Sequence, residues 1–125
     1  GGYQAEIGQI LGRLLPQGRV IMECALETTD GTKVPDVVWI SRERHAPQRR
    51  AYSFQMAPEI CIEVLSNSNS HEEMQSKMQL YLAAGAEEVW LCDEHGDMEF
   101  HLKGLACAAP ASGLCPAFPK HIDWD

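Results

Sequence analysis

Two short apolar runs of this chain each contain one acidic residue, and this pattern limits what the chain can fold into. Asp36 lies in the run 34–40, directly after Pro35, and Glu63 lies in the run 60–65. Apolar runs of this length predict strands that are buried on both faces of a sheet. Because burying an unpaired carboxylate costs several kcal/mol, both side chains are expected to meet a compensating group.

A basic residue suited to that role lies on a predicted helix. Ser70 and Glu73 match the S-x-x-E capping box, which predicts a helix that begins there and runs to about Ala84. Its apolar stripe recurs at helical spacing in Met74, Met78, Tyr81 and Leu82. Lys77 follows Met74 by three residues, so its side chain is expected to point with the stripe toward the sheet.

The remaining pattern predicts the element order helix, three strands, helix, two strands. An amphipathic helix over about 4–15 precedes strands over 20–27, 34–40 and 60–65, and Asp30-Gly31 marks a hairpin turn between the first two strands. Two later strands are predicted over 89–92 and 98–103, with no regular element after them. We therefore predict an α/β (α+β) fold, a mixed β-sheet flanked by helices, with 1–125 as a single domain.

Charge argues against loose binding to nucleic acid. Ten Lys and Arg against 18 Asp and Glu give a net charge of −8, which leaves only a local basic groove open. Four of the ten basic residues lie in the long connection 41–57, namely Arg42, Arg44, Arg49 and Arg50. We consider them candidates for phosphate contacts beside the acidic residues, with a solvated mobile loop as the alternative. Ser66 is a second candidate, although turn and cap chemistry explains it equally well.

The length of the apolar runs and the spacing of the cysteines predict where in the cell the protein is found. The longest apolar run is about five residues, against about 20 for a transmembrane helix, so a membrane span is excluded. The five cysteines contain no CxxC pair, and three lie inside apolar runs. They predict reduced core thiols and a cytoplasmic protein.

Asp36, Glu63 and Lys77 together suggest a chemistry. Two neighbouring carboxylates repel unless one is protonated or a cation lies between them. A hard ion such as Mg²⁺ takes a few carboxylates and keeps several waters, and a nearby lysine can polarise a water. This combination favours hydrolysis of a phosphodiester. The structural alternative is a buried salt bridge between Lys77 and Glu63, with Asp36 capping a turn.

The same residues carry a resemblance to a known family. Its motifs are Val-Pro-Asp-Val-Val at 34–38, Pro-Glu-Ile-Cys-Ile-Glu-Val-Leu-Ser at 58–66, Lys77, Tyr81, Ala-Gly at 84–85 and Glu-Val-Trp-Leu-Cys-Asp at 88–93. Over roughly 4–123, the chain resembles the Uma family of restriction-endonuclease-like proteins, part of the PD-(D/E)XK nuclease superfamily. Many superfamily members place the lysine two residues after the motif acid, where this chain has Leu65. Lys77 matches a variant in which the lysine has moved to the following helix.

The resemblance implies a restriction-endonuclease-like fold and an endonuclease that depends on Mg²⁺ or Mn²⁺. Asp36 and Glu63 would bind the metal, and Lys77 would orient or activate the attacking water. The resemblance also implies an N-terminal segment that this sequence lacks. DNA is the favoured substrate on the resemblance alone, and a homodimer would pool two arginine-rich loops. The alternative is a catalytically inactive nuclease-fold module that binds protein or nucleic acid.

Overall fold

Residues 2–123 are described by a computed structural model, in which a mixed sheet has one long helix on each face. In chain order the elements are α1 (Gly2–Leu14), β1 (Gly18–Met22), β2 (Leu26–Thr28), β3 (Gly31–Lys33), β4 (Val37–Ser41), α2 (Arg42–His45), a 3₁₀ turn (Ala46–Gln48), β5 (Ile60–Val64), α3 (His71–Ala83), β6 (Glu88–Cys92) and β7 (Met98–Leu102). The predicted mixed sheet flanked by helices is confirmed. None of the helices in the described part of the chain has the length and apolar content needed to cross a membrane.

The sheet has the strand order β1-β4-β5-β6-β7. Strands β5 and β6 are parallel, and the other neighbouring pairs are antiparallel. Helix α3 connects the two parallel strands, as the crossover between parallel neighbours requires. Strands β2 and β3 form a separate hairpin.

Side chains of the sheet alternate between two apolar layers. On one face, Ile7 and Leu11 of α1 pack in a cluster with Trp39 and Trp90. On the other face, α3 packs in a cluster that includes Cys61 of β5. Because side chains two apart on a strand share a face, Glu63 belongs to the layer covered by α3.

The first predicted strand, 20–27, is wrong in its extent. β1 ends at Met22, because Glu23 adopts φ 52°, in the left-handed region that non-glycine residues rarely occupy. The chain leaves the sheet there, and Leu26–Thr28 pairs with β3 instead. The turn predicted at Asp30-Gly31 is confirmed, with Gly31 at φ 82°.

The second predicted strand, 34–40, begins later than expected. β4 starts at Val37, after an exposed Val34 and a proline that has no N–H to donate to a neighbouring strand. Asp36 therefore lies just before the strand.

The capping box predicted at the start of α3 is confirmed by its N-cap hydrogen bond, since the Ser70 Oγ accepts from the Glu73 N–H at 3.0 Å.

The long connection after β4 is organised around Arg44. Its Nη1 donates to the carbonyl oxygens of Ala57 at 2.9 Å and Gly85 at 2.7 Å. Its guanidinium also pairs with the carboxylates of Glu59 and Glu87, at 3.4 Å and 3.3 Å. Arg44 thus points inward and joins the segment before β5 to the end of α3, and its donors are not turned toward solvent phosphate.

We predict that Arg44→Met lowers the free energy of unfolding by about 2–4 kcal/mol, because two partly buried carbonyl oxygens and two carboxylates lose their donor. Urea denaturation measures the effect. Arg42→Gln is the matched control, since Arg42 is exposed two residues away and should change stability by no more than about 0.5 kcal/mol. An Arg44→Met variant as stable as the wild type would contradict this account of the segment.

Candidate active site

The register of β4 and β5 brings the two acidic residues together. Val37 pairs with Ile62 and Val38 with Cys61, so one further step places Asp36 opposite Glu63. The strand pairing stops before that step. Instead, the Asp36 Oδ2 accepts from the Val64 N–H at 2.8 Å. The Asp36 carboxylate is therefore held at the carboxyl end of β5, beside Glu63.

Helix α3 contributes two side chains to Glu63. Lys77 and Tyr81 are four residues apart, and so lie on one face of the helix. The Lys77 Nζ lies 3.9 Å from the Glu63 Oε1, and the Tyr81 hydroxyl donates to the Oε2 at 2.5 Å. Glu63 is only 5% exposed, whereas the Lys77 side chain is 29% exposed. Lys77 and Asp36 are both partly exposed, so the buried Glu63 lies between two groups that solvent can reach.

Burial dominates the electrostatics of this cluster. It raises the pKa of Glu63 from 4.5 to about 7, and the neighbouring Asp36 carboxylate adds to the increase. The Tyr81 hydrogen bond and the Lys77 charge act in the opposite direction and lower that pKa only in part. Burial and the nearby Glu63 raise the pKa of Tyr81 well above its ordinary value, so its hydroxyl stays protonated and donates.

The oxygens of this site fit a hard divalent ion. The Asp36 Oδ2 accepts from the Val64 N–H and the Glu63 Oε2 from the Tyr81 hydroxyl, while the Glu63 Oε1 lies 3.9 Å from the Lys77 Nζ. An ion would therefore take the Asp36 Oδ1 and share the Glu63 Oε1 with the lysine. No group of three or more His, Cys, Asp or Glu side chains within residues 2–123 is placed to hold a metal. Two carboxylates are sufficient for Mg²⁺, which keeps several of its waters. A bound cation would displace the proton that Glu63 otherwise retains near neutral pH.

Two other polar residues lie near the carboxylates without joining them. The Glu23 N–H donates to the Asp36 carbonyl oxygen at 3.0 Å, while its side chain is exposed. The Ser66 N–H and hydroxyl both donate to the Asn69 Oδ1, at 2.8 Å and 3.1 Å. Ser66 is thus part of the turn before α3, and its predicted contact with nucleic acid remains a prediction.

The structure separates Arg42 from the carboxylates, contrary to expectation. Arg42 follows the last residue of β4 and Asp36 precedes the first, so about 20 Å of extended chain lies between their Cα atoms. Arg42, Arg49 and Arg50 line a surface cavity that also includes Arg19. Arg44 is excluded from it by its inward contacts. The direction of β4 carries Arg42 to the end of the strand opposite Asp36.

Tyr81 is a site residue that the sequence pattern did not indicate. Its position in the apolar stripe of α3 indicated a core residue, and it is indeed buried. The available signal was its spacing of four residues from Lys77, which puts the hydroxyl on the face that meets Glu63. The buried hydroxyl needs a partner, and the carboxylate of Glu63 is that partner.

Comparisons with known proteins bear on the fold and the family. The crystal structure described as "a putative nuclease belonging to DUF820 from Anabaena variabilis" has a TM-score of 0.78, with 19% sequence identity, covering 97% of this chain and 75% of its own. At that identity the likeness establishes the fold alone. No curated protein matches the chain. The family model described as "Uma2: Putative restriction endonuclease" matches residues 2–104, from α1 through β7. This chain is therefore a member of the Uma2 family.

Proposed function

We propose that this protein is a nuclease that depends on Mg²⁺ or Mn²⁺ and hydrolyses phosphodiester bonds, in DNA rather than RNA. The observation that supports this most directly is the buried Glu63, which meets a second carboxylate, a lysine and a tyrosine at one end of the sheet. A purely structural acid would gain little from a nearby second carboxylate, which raises its pKa further. A cation resolves that repulsion.

Asp36 and Glu63 are the residues that would hold the ion. When bound, the ion offsets negative charge on the scissile phosphate and stabilises the charge that develops in the transition state. The hydrogen bond from the Val64 N–H fixes the orientation of Asp36, and the Tyr81 hydroxyl fixes that of Glu63. In this proposal the scissile phosphate binds beside these two positioned carboxylates and Lys77.

Lys77 orients the attacking water in this proposal. Its ammonium group is a compact charge with three donors, and its side chain is partly exposed beside Glu63. From there it can donate to a water while its charge favours an approaching phosphate oxygen. Tyr81 acts through Glu63 and is therefore a positioning residue.

We predict that Glu63→Gln and Lys77→Met each reduce the cleavage rate by at least about 100-fold, the typical loss when one group that stabilises transition-state charge is removed. The measurement is cleavage of circular single-stranded DNA, circular duplex DNA and RNA in Mn²⁺. Lys103→Gln, which removes an exposed lysine just after β7, should leave the rate unchanged.

Cleavage that survives both active-site substitutions would place the chemistry elsewhere and contradict the proposal. A wild-type chain that cleaves none of the three substrates, yet is folded, would favour the catalytically inactive module.

The raised pKa of Glu63 predicts a pH-dependent stability. The folded state holds the proton more tightly than the unfolded state, so the wild type loses stability as pH rises from about 4.5 through 7. Glutamine resembles the protonated acid but does not titrate, so the Glu63→Gln variant does not lose stability in this way as pH rises. The stability of Glu63→Gln relative to wild type should therefore increase by on the order of 3 kcal/mol across that range. Urea denaturation in EDTA at several pH values measures it, and a pH-independent difference would show that Glu63 is not buried as an acid.

A further inference from the structure

We propose that a groove along the edge strand β1 binds an unpaired nucleic-acid strand on its way to the carboxylates. The inference rests on the proposed function and names the substrate form and a second contact region for it. Two surface cavities make up the groove, with volumes of about 610 and 280 Å³. They are neighbours, because His45 and Arg49 line both of them.

The first cavity concentrates positive charge on an otherwise acidic protein. Its walls include Arg19, Arg42, Arg49 and Arg50, which are four of the ten basic residues of a chain with a net charge of −8. All four are exposed, and no acid is found among the described residues that line the cavity. Guanidinium groups match phosphate oxygens in geometry and charge, so a phosphodiester backbone is the chemistry this cavity suits.

The second cavity continues from this charge cluster as far as Glu23, whose backbone contacts Asp36. Arg19 pairs with Ile40 and Ile21 with Val38, so both β1 side chains lie on the sheet face that also carries Glu63. Ile21 and Glu23 line the second cavity, and the Glu23 N–H donates to the Asp36 carbonyl. The groove thus extends along the five residues of β1, about 17 Å.

An aromatic side chain indicates the form of nucleic acid. Tyr52 lines the second cavity and is 99% exposed, so its ring is free to meet a ligand from solvent. Exposed aromatic rings beside a basic groove stack on unpaired bases, whose faces are covered by their neighbours in a duplex. We therefore assign the groove to a single strand.

The test measures binding separately from cleavage. Fluorescence anisotropy of a 20-nucleotide oligo-dT in EDTA, at several salt concentrations, compares Arg42→Gln/Arg49→Gln with Lys103→Gln/Lys120→Gln. The control pair removes the same charge near β7, at the opposite edge of the sheet. We expect Kd to rise on the order of ten-fold for the arginine pair, with the salt slope reduced by about 1.4. The control pair should change Kd by less than about two-fold.

A third variant tests the single-strand assignment. Tyr52→Ala should weaken oligo-dT binding by about five-fold or more, leave the salt slope unchanged and leave duplex binding unaffected. Because Tyr52 and both arginines are exposed, the denaturation midpoints of these variants should match the wild type, which confirms that each is folded.

Equal losses in the two charge-matched double variants would overturn the groove, because general charge would then explain binding. If Tyr52→Ala binds oligo-dT as tightly as the wild type, or loses as much affinity for duplex DNA as for oligo-dT, the assignment to an unpaired strand is overturned. The proposed function can fail separately. If binding depends on the arginines but the wild type cleaves no substrate, the groove proposal stands and the nuclease proposal is overturned. If cleavage depends on Glu63 but the two double variants bind oligo-dT with the same Kd, the nuclease proposal stands and the groove proposal is overturned.

Discussion

A buried carboxylate on a central strand is the interaction on which the rest of this structure depends. Glu63 faces the apolar layer under α3, where its charge is disfavoured by several kcal/mol unless it has partners. Tyr81 and Lys77 supply a hydrogen bond and an opposite charge, both from a single face of α3. The position of α3 over β5 is therefore tied to this acid as well as to apolar packing. The crossover that joins β5 to β6 places the helix there.

Strand geometry then explains why the second carboxylate arrives at the same point. The antiparallel register of β4 and β5 is maintained by apolar side chains in both layers, and its continuation puts Asp36 across from Glu63. The pairing of β4 with β5 ends at Val37, and the Asp36 side chain accepts from the Val64 N–H beyond that point. Leu65, two residues after Glu63, packs against the apolar layer under α3, and the lysine that meets Glu63 comes from that helix.

Much of this arrangement could be predicted from the sequence, since its signals are local. The strand around Glu63, the capping box of α3 and the turn at Gly31 each depend on residues within a few positions of one another. The break at Glu23 could not be predicted, because glutamate carries no preference for positive φ. The hairpin of β2 and β3 has only three residues in each strand, too few for a clear pattern.

The long-range contacts were beyond sequence analysis for a different reason. Arg44 finds Gly85 and Glu87 more than forty residues away, so its inward direction has no local signal. The groove that joins Arg19 to Arg49 depends in the same way on how the segment after β4 folds back along β1. Lys77 was placed correctly toward the sheet because helical spacing alone determines its face.

Calorimetric titration of Mn²⁺ into the wild type and Glu63→Gln at pH 7, in two buffers of different ionisation enthalpy, tests the central claim most directly. The account predicts one ion bound by the wild type, with release of about half a proton, because Glu63 has a pKa of about 7. It predicts that Glu63→Gln loses this binding. A wild type that binds no ion, or a variant that binds it equally well, would contradict the assignment of Asp36 and Glu63 as a metal site.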